Sequence, residues 1–261
     1  MGKNFPQIMT LKDKPSCFEK TVQLIEKSFH YQPPNHFQTD FAPLIDESNH
    51  NNCFILIDEN ENVLAHIGAK EKFVELNGNK HSICLLGGIA VDEKNRGEGH
   101  FQSLMQEVLA EKRSDTATFL LWSDLEQLYR KFGFYLCGNQ FEVDQAESIA
   151  GFSVTKYHSL TAAEKKNIQE LYQSSFAQTY LSLERSDNDW NMIQKINSAD
   201  LFIKKQADKI TDYFFMNKGQ DLPGVIYEYG STRQLDHLIR EAHHYGKVWM
   251  GLPLILSLIH I

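Results

Sequence analysis

Cysteine is sparse and unpatterned: four residues in 261, with no Cys-x-x-C pair and no histidines at zinc-ligand spacing. That excludes a disulfide scaffold or a zinc finger, and Cys17, Cys53, Cys84 and Cys137 read as buried free thiols. Basic clusters are also missing, since lysine and arginine occur only singly or in short pairs and the formal net charge is −8. A protein that neutralises nucleic-acid phosphates needs a basic face, so no nucleic-acid partner is expected, and an acidic surface suits a cationic or amine partner better. Residues 1–15 have no apolar core of the kind a secretion signal needs. Neither export nor a membrane partner is expected, and a cytoplasmic location is. The eleven histidines are dispersed, and His243-His244 reads as a polar helix face, so no metal is expected either. What remains is 42% hydrophobic residues, enough for one large packed core or two modest ones.

Residues 83–91, ICLLGGIAV, are a short aliphatic run broken by glycine, the pattern of a strand buried on both faces. From Phe101 the apolar residues Phe101, Leu104, Met105, Val108 and Leu109 recur at helical spacing and form one stripe. Between strand and helix lies Asp92-Glu93-Lys94-Asn95-Arg96-Gly97-Glu98-Gly99. A glycine-rich bend with an arginine at a helix mouth suits an anion, because first-turn N–H groups have no partner within the helix. The same residues also read as an ordinary capped turn. Neither the Gly-x-x-x-x-Gly-Lys loop nor the third glycine of the dinucleotide fingerprint is present.

The run Arg96-Gly97-Glu98-Gly99-His100-Phe101 resembles motif A of the GNAT superfamily of N-acetyltransferases, Arg/Gln-x-x-Gly-x-Gly/Ala. Phe101 departs from the small final residue and is similar to a subgroup of the enhanced-intracellular-survival type. One βαβ unit further on, Leu128-Tyr129-Arg130-Lys131-Phe132-Gly133-Phe134 resembles the superfamily's Phe-Tyr-x-Lys-x-Gly-Phe segment. The resemblance implies an α/β fold, a GNAT-like mixed and mostly antiparallel sheet flanked by helices, followed by a second, degenerate GNAT-like α+β unit. It implies acetyl-CoA as acyl donor and a primary amine of a small molecule or peptide as acceptor. Pantetheine would pair with the backbone of Ile89, Ala90 and Val91, and the diphosphate would meet the amides of Arg96, Gly97, Glu98, Gly99, His100 and Phe101. Tyr129 would protonate the leaving thiolate, with aromatic packing as the plainer alternative. The base stays open among Glu71, Glu75, Asp124 and a water relay. A non-catalytic acyl-CoA-binding sensor module is the alternative function.

Elsewhere, residues 17–29 read as a helix capped by Ser16, ended by Pro33-Pro34, and residues 37–45 as a loop or short helix. Residues 53–57, 63–69, 72–76 and 81–91 read as a four-stranded antiparallel meander with an Asn77-Gly78 turn, and residues 134–143 as an edge strand closing the first domain. The boundary falls between residues 1–148 and residues 149–261. In the second part a helix is expected over residues 162–177 and another over 234–245, with strands over 201–205, 212–216 and 224–229. It repeats no phosphate bend. The apolar tail, residues 253–261, reads as truncated or non-native.

Overall fold

The computed structural model describes residues 6–76, 78–137, 141–142, 151–176, 181–233 and 247–250. These residues form two compact units: residues 6–73 with 81–137, and residues 74–76 and 78–80 with 141–142, 151–176, 181–233 and 247–250.

In the first unit, β1 (Gln7–Thr10) is followed by α1 (Phe18–Ser28), two short helices α2 (Phe37–Asp40) and α3 (Ala42–Ile45), and β2 (Cys53–Ile57). Then come β3 (Val63–Leu76), β4 (Asn79–Val91), α4 (His100–Lys112), β5 (Thr118–Leu121) and α5 (Glu126–Arg130). The sheet order is β1-β2-β3-β4-β5, with β4 and β5 parallel. Strand β2 is buried along its whole length because helices cover both sheet faces. Phe54 and Leu56, opposite Ile67 and Ala65, join the core cluster that includes Leu104, Met105 and Val108 of α4. On the other face Leu44 of α3 lies so close to β3 that a Cβ at Gly68 would come within 2.8 Å of it. Asn49 Nδ2 ties that segment down by donating to the carbonyls of Leu44 (2.7 Å) and Ala69 (3.0 Å).

Several sequence expectations change. The runs 63–69 and 72–76 are one strand, β3, because Lys70 and Glu71 alternate with their neighbours as β residues rather than turning. The fourth strand of the meander is instead β1, whose short polar-flanked sequence carries little periodic signal. Ser16 does not cap α1: a 3-10 turn, Pro15–Cys17, leads into it with Cys17 already helical and no side-chain cap. Of the cysteines, Cys17, Cys53 and Cys84 are buried free thiols, but Cys137 is exposed. Burial pushes the thiols of Cys53 and Cys84 up to about 12.

The second unit holds β6 (Phe141–Glu142), β7 (Ser153–Thr155), α6 (Ala162–Phe176), β8 (Leu181–Leu183), α7 (Asp187–Ile193), β9 (Asp200–Gln206), β10 (Lys209–Lys218), β11 (Leu222–Ser231) and β12 (Lys247–Met250). Its sheet order is β6-β12-β11-β10-β9-β7. Strands β7, β9, β10 and β11 pair antiparallel, and β11 pairs parallel with β12. The strand expected to close the first sheet thus contributes Phe141–Glu142 to this one, against Trp249 and Met250. Helix α7 opens with a reciprocal capping box between Ser186 and Asp189. The helix expected over residues 234–245, His243-His244 and the apolar tail lie outside the described residues.

Candidate active site

Strand β4 pairs with β5 from Ile83↔Thr118 to Leu86↔Leu121 and then runs on to Val91 without it. The parting leaves one edge of Gly87–Val91 without a β5 partner, and an unpaired strand edge offers N–H and C=O groups to an extended ligand. Ile89, Ala90 and Val91 lie on this stretch, Ala90 buried and its two neighbours half-buried. Gly88 takes φ +57, a left-handed kink at the point of parting.

From Val91 the chain enters a 3-10 turn, Glu93–Asn95, capped by Asp92, whose carboxylate accepts from the Lys94 amide at 3.2 Å. The bend follows. Gly97 and Gly99 have φ +89 and +83, and a Cβ on either would meet nothing within 4 Å. Glycine is required there by backbone conformation, and the space above the bend is open. Gly99 is the N-cap of α4 and no side chain caps the helix, so its first-turn amides have neither an intrahelical nor a side-chain acceptor. Arg96, Gly97, Glu98 and Gly99 are exposed. His100 is mostly buried, with Nε2 3.1 Å from Glu98 Oε2.

Tyr129 is 7% exposed and belongs to the core cluster beside α4. Its ring meets Phe101 edge-on at 5.8 Å and Phe134 at 6.1 Å, while Phe101 meets Phe132 at 5.4 Å. The large residue that ends the bend motif therefore ties the first turn of α4 to α5. Burial raises the Tyr129 phenol above its ordinary range; a hydrogen bond with Ser123 opposes this and Asp124 adds to it. The group stays protonated at neutral pH and can donate.

The carboxylates considered as bases are dispersed. Glu71 pairs with Lys112 at 2.8 Å, Glu75 lies in the stretch Val74–Lys80 that groups with the second unit, and Asp124 is exposed beside Tyr129. His66 escaped the sequence reading. It is fully buried on β3, with Nδ1 2.7 Å from the Gly88 carbonyl, and its only signal was one polar residue within the apolar run VLAHIGA. Among the described residues no group of His, Cys, Asp and Glu could hold a metal ion, and no helix is long and apolar enough to cross a membrane.

Residues 12–137 match the family model described as "Acetyltransferase (GNAT) domain". No protein of curated function matches the sequence. Among solved structures, a protein from Enterococcus faecalis V583 described as a conserved protein of unknown function, "Probable N-Acyltransferase", superposes with a TM-score of 0.63 at 15% identity, over 95% of this chain and 65% of that one. A GCN5-related N-acetyltransferase from Anabaena variabilis ATCC 29413 gives 0.63 at 16% identity, over 97% and 68%. Saccharomyces cerevisiae N-myristoyltransferase with bound myristoyl-CoA gives 0.57 at 13% identity, over 88% and 64%. The chain spans about two thirds of these proteins' length, and at such identities the likeness is one of fold.

Proposed function

We propose that the chain is an acetyl-CoA-dependent N-acetyltransferase acting on a primary amine of a small molecule or peptide, with its donor site in the first unit and a degenerate, site-free copy of the same fold in the second. The observation that carries this reading is the continuity of the β4 edge that β5 leaves, unpaired among the described residues, with an open helix N-terminus that no side chain caps. A long ligand with an amide-bearing arm and an anionic end needs both in that order. The residues fit coenzyme A: Ile89, Ala90 and Val91 would pair with pantetheine, and the amides from Arg96 to Phe101 would receive the diphosphate.

Acyl-CoA would supply the activated acyl group. For the chain's own residues the task is proton management: the amine must lose a proton to attack, and the leaving sulfur must gain one as the C–S bond breaks. Tyr129, held protonated by burial, is the donor in this reading, and a carboxylate or water takes the amine proton. The family match to residues 12–137 supports the reading independently of the geometry.

The test is thiol release from acetyl-CoA in the presence of a panel of small amines and peptide N-termini. Amine-dependent release is expected. Tight acetyl-CoA binding with no release by any amine would instead mark a sensor module, and release only from longer acyl-CoAs would correct the donor.

A further inference from the structure

Strand β3 is buried and apolar from Val63 to Ala69 apart from one polar side chain, His66, and Gly68, over which Leu44 packs. The side chain of His66 lies on the α2–α3 side of the sheet, opposite α4, since it pairs with Ile55 while the neighbouring positions Ala65 and Ile67 face the α4 core. Its Nδ1 is 2.7 Å from the Gly88 carbonyl oxygen. A carbonyl can only accept, so Nδ1 carries the proton and Nε2 is left as an acceptor, buried and without a partner among the described residues. Among the described residues this buried imidazole is satisfied on one side, by one backbone carbonyl.

That carbonyl belongs to the residue where β4 leaves β5. Gly88 has φ +57, and a Cβ there would come within 3.1 Å of Phe37 Cζ and 3.3 Å of the His66 ring. Glycine enters the left-handed region as readily as the extended one, so its backbone alone does not select this kink and the choice falls to the surrounding groups. Here the fixing groups are a hydrogen bond from His66 and the packed ring of Phe37.

We propose that His66 is a positioning residue: by holding the Gly88 carbonyl it fixes the kink in β4, and with it the direction in which Ile89, Ala90 and Val91 present their backbone groups to acyl-CoA. The inference rests on the acyl-CoA reading above. It assigns His66 no contact with the donor and no share in proton transfer.

Three variants of the full chain separate this from a packing role. Asparagine places its Nδ2 donor near the histidine Nδ1; glutamine places it farther out; leucine has none. Acetyl-CoA binding is measured by calorimetry well below each variant's melting temperature, with the folded fraction checked by circular dichroism. His66→Asn is expected to bind within about threefold of the parent, and His66→Gln and His66→Leu about 10- to 100-fold more weakly, the scale of a misplaced binding group. Gln and Leu variants that bind like the parent, or an Asn variant that loses as much as Leu, would overturn the inference alone. If His66→Leu does not fold, the Asn and Gln pair decides. A parent that binds no acyl-CoA, acetyl or longer, overturns the donor-site reading and this inference with it.

Discussion

Past its last pairing with β5, strand β4 runs on from Gly87 to Val91; past its last pairing with β12, strand β11 runs on from Tyr227 to Ser231. Among the described residues both sheets therefore part at the corresponding strand, and both carry an irregularity there, the Gly88 kink in one and a register shift between Phe215 and Met216 opposite β11 in the other. The side chains differ. In the first unit the parted stretch begins with two glycines and leads to an exposed bend. In the second it carries Tyr227, Glu228 and Tyr229, all buried, and Glu228 takes a two-pronged ion pair from Arg185 at 2.9 and 2.5 Å. The guanidinium stacks over Tyr172 (4.1 Å) and Trp190 (4.7 Å), and Tyr213 donates to the same carboxylate at 3.1 Å. The strand's end is bound as well: Ser231 and Arg233 both hold Asp212. Strand topology supplies a parting in each unit, and side-chain chemistry leaves it open in the first and locks it in the second.

The largest expected effect falls on the lock. Arg185→Ala leaves a buried carboxylate whose remaining side-chain partner among the described residues is the Tyr213 phenol, and breaking such a pair costs about 3–5 kcal/mol. Urea denaturation is expected to show that loss, while acetyl-CoA affinity of the folded protein stays as in the parent. A loss below about 1 kcal/mol would mean the pair is not the lock described. Next comes the pH response of the first unit. Burial, opposed by the Gly88 hydrogen bond, lowers the His66 pKa from 6.5 to about 4. Protonation therefore favours the unfolded chain, so the stability due to neutral His66 is fully present above about pH 6.5 and is lost as pH falls through about 4. Measured as the difference between the parent and His66→Leu, which cancels the carboxylates common to both, the parent is expected to lose about 3 kcal/mol between pH 7 and pH 4. A difference that does not change with pH would show that His66 titrates normally.

Much of this contrast was legible in the sequence. The stripe from Phe101 to Leu109 and the bend at Gly97 and Gly99 specify strand, turn and helix through periodicity and backbone conformation, which are local properties. His66 was not legible, because its meaning comes from a carbonyl 22 residues away across the sheet. The Arg185–Glu228 pair, 43 residues apart, is hidden for the same reason, as is the pairing of Phe141–Glu142 with β12. In the sequence, Lys70 and Glu71 interrupt the apolar pattern between the runs 63–69 and 72–76, and only the structure shows that Glu71 meets Lys112 of α4 within one continuous β3.

Tyr129→Phe keeps the ring among Phe101 and Phe134 and removes only the hydroxyl. It is expected to lower kcat roughly 10- to 1000-fold with little change in acetyl-CoA affinity. Turnover within about twofold of the parent would leave Tyr129 as a packing residue. Gly99→Ala tests the bend more gently: the space above it is open, so the penalty is that of a side chain at φ +83, about 1–2 kcal/mol. Acetyl-CoA binding is expected to weaken about 10-fold as the bend relaxes to avoid that strain, whereas Gly224→Ala, at φ +71 and also open, is expected to leave it unchanged. Equal effects at the two glycines would erase the distinction between the units.

The smallest effect is expected at Arg96. In the second unit Arg233, beyond the end of β11, is tied to Asp212 at 3.0 Å, whereas Arg96, beyond the end of β4, is exposed and among the described residues has no ion-pair partner. An exposed guanidinium near a bound diphosphate acts through water, so its attraction is weak and screened. Arg96→Ala is therefore expected to weaken acetyl-CoA binding only about threefold to fivefold at low salt, consistent with an exposed pair worth at most ~1 kcal/mol. The difference should shrink as salt rises from about 0.01 to 1 M, over which the screening length falls from about 30 to 3 Å. A loss that persists in high salt would mean that Arg96 is desolvated against the ligand, while no loss at low salt would leave the backbone amides as the sole anion donors of the bend.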